Sequence, residues 1–296
     1  MTSARIFFFV FSLSSLSAFA QDDLLSQLQK EDSTGSHPVA ATFKSTRVVN
    51  GQSIETMKKN HLDFRISHRF GTLNSGAYNL FGLDAATMRM GFEYGLTDRL
   101  EIGVGRSTSK KTYDFFGKYK LIQQTTGGAR NIPVSVTLFG GTNIATVNRE
   151  LEFQDKVSYV AQILIARKFG ERLSLQLSPT YLYRNMPDIQ ADEKILLAVG
   201  IGGRFKLSKR VSLNGEYFLT AREKNKPKAP YYDSMSFGVD IETGGHVFQL
   251  HFTNSLGMIE KQFIGETTGS WGNGDIHYGF NISRTFSFDK KNKVAK

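Results

Sequence analysis

Apolar and polar residues alternate along the chain from Leu62 to near the C-terminus. In the first run the apolar positions are Leu62, Phe64, Ile66 and Phe70, and the polar positions are Asp63, Arg65, Ser67 and Arg69. Successive side chains of a β-strand point to opposite faces, so a period of two indicates strands with one apolar and one polar face. The pattern therefore predicts an all-β fold.

Twelve such runs follow one another. They span residues 62–70, 86–94, 100–106, 112–122, 132–139, 157–168, 173–183, 194–207, 211–219, 232–242, 246–254 and 275–288. Several are 9 to 14 residues long, whereas strands of globular proteins average about five or six. A tilted strand that crosses a membrane needs about 9–11 residues, so the length of the runs favours membrane-crossing strands.

The links between the runs alternate in length. Tight turns stand at 95–99, 170–172, 208–210 and 243–245, and most of the alternate links are much longer. Short periplasmic turns and long extracellular loops are typical of outer-membrane barrels. Alternation alone also fits a soluble barrel or sandwich, which turns its apolar face inward. Strand length, aromatic residues near strand ends and the terminal aromatic Phe288 favour an antiparallel up-and-down transmembrane β-barrel of about 12 strands.

The N-terminus predicts export. Arg5 precedes the apolar run 6–16 and a small-x-small end, which are the three parts of a signal peptide cleaved after Ala20. The next 41 residues (21–61) are polar and weakly patterned. The expected divisions are a signal peptide at 1–20, an irregular N-terminal periplasmic extension or lumen plug at 21–61, the outer-membrane barrel at 62–288 and a basic C-terminal tail at 289–296.

The composition excludes or disfavours several classes of function. The chain contains no Cys, which excludes disulfides, Cys-ligated zinc, iron–sulfur clusters and a thiol nucleophile. The net charge of +10 suits a nucleic-acid partner, but export from the cytoplasm argues against that partner. The mean hydropathy of −0.28 and the lack of a long apolar run after the N-terminus argue against membrane-spanning helices.

Five segments resemble a known family. They are ATFKSTRVVNGQSIE (41–55), GFEYGLTDRLEIGVGRS (91–107), LSPTYLYRN (177–185), GGRFKLSKRVSLNGEY (202–217) and DIETGGHVFQLHFTNSLGMIEKQFIGETTGSW (240–271). They are similar to the uncharacterised β-barrel family called domain of unknown function 5777 (DUF5777). The resemblance implies a bacterial outer-membrane β-barrel and brings neither an activity nor known catalytic residues.

The polar face of the predicted strands supplies the candidate functional residues, because in a membrane barrel this face lines the lumen. The lumen-lining candidates are Arg65, Arg69, Arg89, Glu93, Lys118, Arg204, Glu216, Asp240, His251 and His277. Such mixed charge is consistent with an ion-paired interior or with a lining that selects ions, since rings of Arg and Lys favour anions. Both interpretations stay open at this point.

No catalytic or metal site emerges from the remaining chemistry. His251 and His277 are expected to lie near each other in the lumen, where a hydrogen-bonded network is the preferred interpretation over a ligand site. His251, Thr253 and Ser255 approximate the Ser-His-Asn site of outer-membrane phospholipase, but His251 is expected to point inward, away from lipid. The glycine-rich segment 265–274 lacks the lysine and the strand-to-helix context of a P-loop.

Two basic stretches lie outside the strands. They contain Arg222, Lys224, Lys226 and Lys228 in a predicted extracellular loop, and Lys290, Lys291, Lys293 and Lys296 in the tail. Solvation is the preferred interpretation, and contact with anionic lipopolysaccharide or with a periplasmic partner is the alternative.

The leading functional hypothesis is a pore or transporter for a small, possibly anionic, solute. The alternatives are a sealed structural or surface scaffold of the cell envelope and a lipid-active outer-membrane enzyme. The expected partners are outer-membrane lipid and lipopolysaccharide, the barrel-assembly machinery during insertion and an unknown small solute. No cofactor, catalytic residue or metal is expected.

Overall fold

A computed structural model describes residues 35–127, 131–188, 192–223 and 231–289 of the chain. The predicted signal peptide, most of the basic tail and positions 224–228 of the basic loop lie outside these residues. Twelve antiparallel strands form one closed barrel. They are β1 His61–Thr72, β2 Ala86–Gly95, β3 Leu100–Ser107, β4 Thr112–Ile122, β5 Ser135–Ala145, β6 Val157–Phe169, β7 Leu173–Arg184, β8 Ile195–Lys206, β9 Val211–Ala221, β10 Ser234–Thr243, β11 His246–Thr253 and β12 His277–Ser287.

Each strand pairs with the next along the chain, and β12 closes the barrel by pairing with β1, where Ile282 lies opposite Ile66. The predicted up-and-down barrel of 12 strands is therefore confirmed. Full closure leaves no free sheet edge, which is what allows strands to exist in lipid. Among the described residues, no helix is long and apolar enough to cross a bilayer.

The apolar face of the strands points outward. Outward side chains such as Phe92, Leu197 and Leu250 remain about half exposed, with 46%, 58% and 55% of their surface accessible. The intervening polar side chains are buried inside, and Arg65 is only 1% exposed. The outer wall therefore presents a continuous apolar surface that fits lipid.

The fifth strand differs from the prediction. Its predicted span was 132–139, but β5 runs from Ser135 to Ala145. Gly140 and Gly141 carry no side chain to continue the apolar alternation, although their backbone still pairs with β4 and β6. Pairing of the neighbouring strands, which the sequence pattern does not record, extends this strand.

The remaining elements are short. Among the described residues, the helices are α1 Phe153–Lys156 and α2 Glu260–Gly265, and 3-10 turns span Leu73–Ser75, Ala77–Gly82 and Ser109–Lys111. A separate small unit contains residues 35–39, 124–127 and 131–133 of the described chain. Within it, His37–Pro38 pairs antiparallel with Thr125–Thr126.

Candidate functional site

The ten lumen-lining candidates all lie on the inward face of the barrel and are almost fully buried. Their exposed surface ranges from 0% for Glu93 to 7% for His277. Several are ion-paired along the wall. The Nε atom of Arg89 lies 3.0 Å from Oδ1 of Asp114, and Nζ of Lys118 lies 3.5 Å from Oε1 of Glu101. Some of the charged lumen residues are therefore ion-paired with other residues of the wall.

Residues 40–60, which we call the lumen hairpin, occupy the barrel interior. Both of their ends lie at the short-turn end of the barrel, where Nζ of Lys168 donates to Ala40 O at 3.2 Å and the amide of Asn60 donates to Gly95 O at 3.0 Å. Between these ends the chain turns back on itself, and Arg47 bridges antiparallel to Gln52. Part of the predicted N-terminal extension thus lies inside the barrel.

The tip of the hairpin, residues 48–51, is bound by polar side chains of the wall. Glu216 accepts hydrogen bonds from three consecutive backbone amides, those of Val49, Asn50 and Gly51, at 3.1, 2.8 and 3.0 Å. A carboxylate held by several backbone N–H groups is a strong, charge-assisted contact. Glu216 therefore fixes the backbone of the turn.

The carbonyl groups of the tip are bound as well. Gln249 donates to Val48 O at 2.9 Å, and Asn281 donates to Val49 O at 3.0 Å. The side chain of Asn50 accepts from Arg69 at 2.7 Å and donates to Ser236 Oγ at 3.0 Å. Two predicted lumen residues, Glu216 and Arg69, thus bind the tip directly. A third, Asp240, is linked to this site because Gln249 donates to its Oδ1 atom at 2.9 Å.

The hairpin stem contacts the charged candidates on the other side of the lumen. Arg65 donates to the hydroxyls of Ser45 and Thr46 at 2.6 and 2.8 Å, and Lys118 donates to Thr46 O at 2.9 Å. Thr46 also donates to Glu93. Nearer the short-turn end, Arg204 donates to Ala41 O at 3.1 Å. Most of the predicted lumen residues therefore hold this segment.

A second segment enters from the long-loop end. The connection between β11 and β12 carries α2, in which every residue from Glu260 to Gly265 is buried. The rings of Phe263 and Phe218 meet edge to face, with centroids 5.0 Å apart. Sequence reasoning missed this contact, because it assigned only polar residues to the lumen. The apolar residues that share this cluster are Phe43, Val48, Ile54, Phe116, Phe139, Val160, Leu164, Ala166, Leu182, Leu196, Ala198, Phe218, Phe263 and Ile264.

The family model for a membrane-bound β-barrel domain, DUF5777, matches residues 43–286, from the lumen hairpin to β12. The chain belongs to this family. No curated protein matches the chain.

The solved structures to which the DUF5777 barrel is similar include two porins and an outer-membrane channel. The NanC porin is 10% identical with a TM-score of 0.49, and the match covers 77% of this chain and 100% of the porin. The KdgM porin is 8% identical with a TM-score of 0.45, covering 77% and 99%. An outer-membrane channel from Pseudomonas putida F1 is 11% identical with a TM-score of 0.48, covering 79% and 98%.

His251 and His277 of the DUF5777 barrel lie on neighbouring strands, where His251 is opposite Gly279 and Thr253 is opposite His277. His277 Nδ1 lies 2.8 Å from Phe70 O, whereas neither ring nitrogen of His251 has a hydrogen-bond partner among the described residues. Ser255 Oγ donates to Gly257 O at 3.2 Å. His251 and Ser255 therefore form no nucleophile–base pair here. The described part of the chain contains no group of three or more His, Asp or Glu residues arranged to hold a metal.

Ion pairs connect the loops at the long-loop end of the DUF5777 barrel. Asp192 pairs with Arg184 at 2.7 Å and with Arg222 at 3.1 Å. Burial by itself raises the pKa of Asp192, but the hydrogen bond and charge of Arg184, together with the charge of Arg222, lower it below its ordinary value. Arg222, one of the basic-loop candidates, is thus engaged in tying two loops together.

A second ion cluster surrounds Lys110, which pairs with Glu266 at 2.6 Å and also with Asp188. Burial by itself lowers the pKa of Lys110, but these two carboxylates raise it above its ordinary value. Glu266 directly follows α2, so this cluster anchors the inserted helix to the loops around it.

Proposed function

We propose that this protein is a gated outer-membrane pore for small solutes, and that the lumen hairpin is its gate. The observation that carries the proposal is the polar binding of the tip: residues 48–51 are held by hydrogen bonds from the wall. Both ends of the hairpin lie at the short-turn end, so it can withdraw in that direction without threading a loop. The predicted export signal and the closed barrel support an outer-membrane location.

Polar contacts suit a gate better than apolar packing does. A protein hydrogen bond contributes only about 0.5–1.5 kcal/mol net, or about 1.5–3 kcal/mol when one partner is charged, because water replaces the partner when the bond opens. A lumen in which the hairpin tip is held by polar contacts can therefore open and rehydrate at moderate cost, to which the apolar contacts of Phe43 and Ile54 in the stem add. Two of the wall arginines are paired with carboxylates, in Arg89–Asp114 and Arg65–Asp63, so we propose a pore for small solutes without a strong preference for anions.

Single-channel conductance of the refolded chain in planar bilayers tests the proposal. A Cβ atom at position 51 would lie 2.7 Å from Cζ of Phe218, and because the ring of Phe218 is buried, we expect Gly51→Val to displace the tip. We expect the wild type to be closed for most of the time and Gly51→Val to show discrete conductance steps. The matched control is Gly140→Val, because a Cβ at that outward position meets no atom within 4 Å.

Trypsin cleavage after Arg47 reports independently whether the hairpin has left the barrel, since Arg47 is buried in the native structure. If Gly51→Val is cleaved there and yet conducts no more than the wild type, the pore proposal is wrong. That outcome would favour the second candidate function, a sealed envelope scaffold. The burial of Phe263 and Ile264 in the apolar cluster is the observation that favours this candidate.

We propose outer-membrane lipid and lipopolysaccharide as the surroundings of the barrel, and the barrel-assembly machinery as its partner during insertion. We propose no enzymatic activity, since His251 and Ser255 do not meet.

A further inference from the structure

The hairpin tip is bound through chemical groups that any peptide carries. The wall recognises three backbone N–H groups through Glu216 and two backbone carbonyls through Gln249 and Asn281. The one side chain recognised by polar contacts is the neutral amide of Asn50, bound by Arg69 and Ser236. The lumen thus contains a site complementary to a short turn of polypeptide.

We infer that this tip site, formed by Glu216, Gln249, Asn281, Arg69 and Ser236, is a ligand site for short peptides, which the protein's own hairpin occupies when the pore is closed. The inference rests on the proposed function, since a ligand reaches the site only after the hairpin withdraws. The expected ligands are molecules that present consecutive amide N–H groups.

The charge at the centre of the site argues for peptides over anions. Glu216 is buried, and a buried carboxylate without donors is costly. When the hairpin leaves, the carboxylate needs new N–H or water donors, and a simple anion such as acetate supplies none. A peptide turn supplies the same set of donors as the hairpin.

The shape of the site adds a preference at one position. The ring of Phe218 lies so close to Gly51 that a side chain there would collide with it. Next to it, the Asn50 side-chain oxygen accepts from Arg69 while its NH₂ group donates to Ser236 and, at 3.4 Å, to Thr253. A ligand with an Asn-Gly pair at its turn therefore fits best.

Binding of a synthetic peptide tests the inference. The probe is the acetylated and amidated peptide of residues 46–53, TRVVNGQS, titrated into the refolded full chain carrying Gly51→Val by calorimetry in detergent micelles. We expect saturable binding to this variant and at least tenfold weaker binding to wild type, whose own tip competes as a tethered ligand. Acetate at the same concentrations should not compete.

Two controls identify the recognised groups. The same peptide N-methylated at the Val49, Asn50 and Gly51 amides lacks the donors that Glu216 accepts, so we expect its binding to fall at least tenfold. Adding Glu216→Gln to Gly51→Val should cause a similar loss for the unmodified peptide. Asn50→Ala offers a second route to a weakened tip, without added volume, if Gly51→Val does not refold.

The results separate this inference from the proposed function. Conductance steps in Gly51→Val together with no peptide binding, or with binding that is insensitive to N-methylation, would overturn the peptide site and leave the pore standing. Peptide binding that depends on Glu216 in a barrel that never conducts would support the site and contradict the pore.

Discussion

Glu260 accepts a hydrogen bond of 2.9 Å from the side-chain amide of Gln52, although the two residues enter the barrel from opposite ends. Gln52 belongs to the lumen hairpin and Glu260 begins α2. The same carboxylate oxygen lies 3.3 Å from Nη1 of Arg47. The hairpin and the loop helix therefore support each other where they meet, and loosening one should loosen the other.

Removing this carboxylate should free the hairpin. Hydrogen bonds to charged groups contribute about 1.5–3 kcal/mol, so Glu260→Ala should raise the open population of the hairpin about tenfold or more. The measurement is the rate of trypsin cleavage after Arg47 in the folded barrel, which follows the open population when opening is fast. The exposed turn residue Glu171, replaced by Ala, is the charge-matched control. Equal cleavage rates in wild type and Glu260→Ala would contradict the prediction.

A disulfide should lock the hairpin in place. A Cβ at Gly202 would lie 3.3 Å from Cγ2 of Val48, which is close to the separation of about 3 Å between a disulfide sulfur and the opposite Cβ. We expect Val48→Cys/Gly202→Cys, placed on the Glu260→Ala background, to suppress both trypsin cleavage and conductance steps when oxidised. Reduction should restore them in the same sample. Unchanged cleavage in the fully oxidised protein would show that the tip is not the moving part.

The ion pairs of Asp192 with Arg184 and Arg222 should weaken in acid. Because the pKa of Asp192 is lowered in the folded protein, its stabilisation is complete above the ordinary value of 3.8 and is lost as the pH falls through the lower folded-state pKa. The ratio of hydrogen-exchange rates between Asp192→Asn and wild type, measured in residues 192–195, should exceed one at pH 6 and approach one below pH 3.8. Asp84→Asn, at an exposed loop position, should give a ratio of one throughout.

Much of the wall could be predicted from the sequence because alternation is a local property. Arg65 and Phe64 differ in polarity and are adjacent, so a period of two assigns one to the lumen and the other to lipid. The contents of the lumen depend on long-range contacts. Residues 48–51 carry no pattern that indicates Glu216, which lies 165 to 168 positions away. The sequence therefore left open whether residues 21–61 form a lumen plug or a periplasmic extension.

The apolar side of the lumen can also be recognised in the sequence. Leu164 and Leu196 occupy the polar phase of their strands, within the continuous apolar runs 163–166 and 195–199. Such runs are typical of strands buried on both faces. Here the outer face of each strand contacts lipid, and the inner face contacts α2 and the hairpin. The strict assignment of polar residues to the lumen overlooked this signal.

Phe263 is the residue through which α2 should stabilise the barrel. It is fully buried, and replacing a buried Phe by Ala costs about 3–5 kcal/mol because of the cavity that remains. We expect Phe263→Ala to lower the free energy of unfolding in lipid vesicles, measured by urea titration, by more than Phe115→Ala does, since the outward Phe115 is 43% exposed and leaves no internal cavity. Equal losses would mean that α2 is loosely packed. A less stable Phe263→Ala barrel that opens no more often than the wild type would contradict the mutual support of α2 and the hairpin through Glu260.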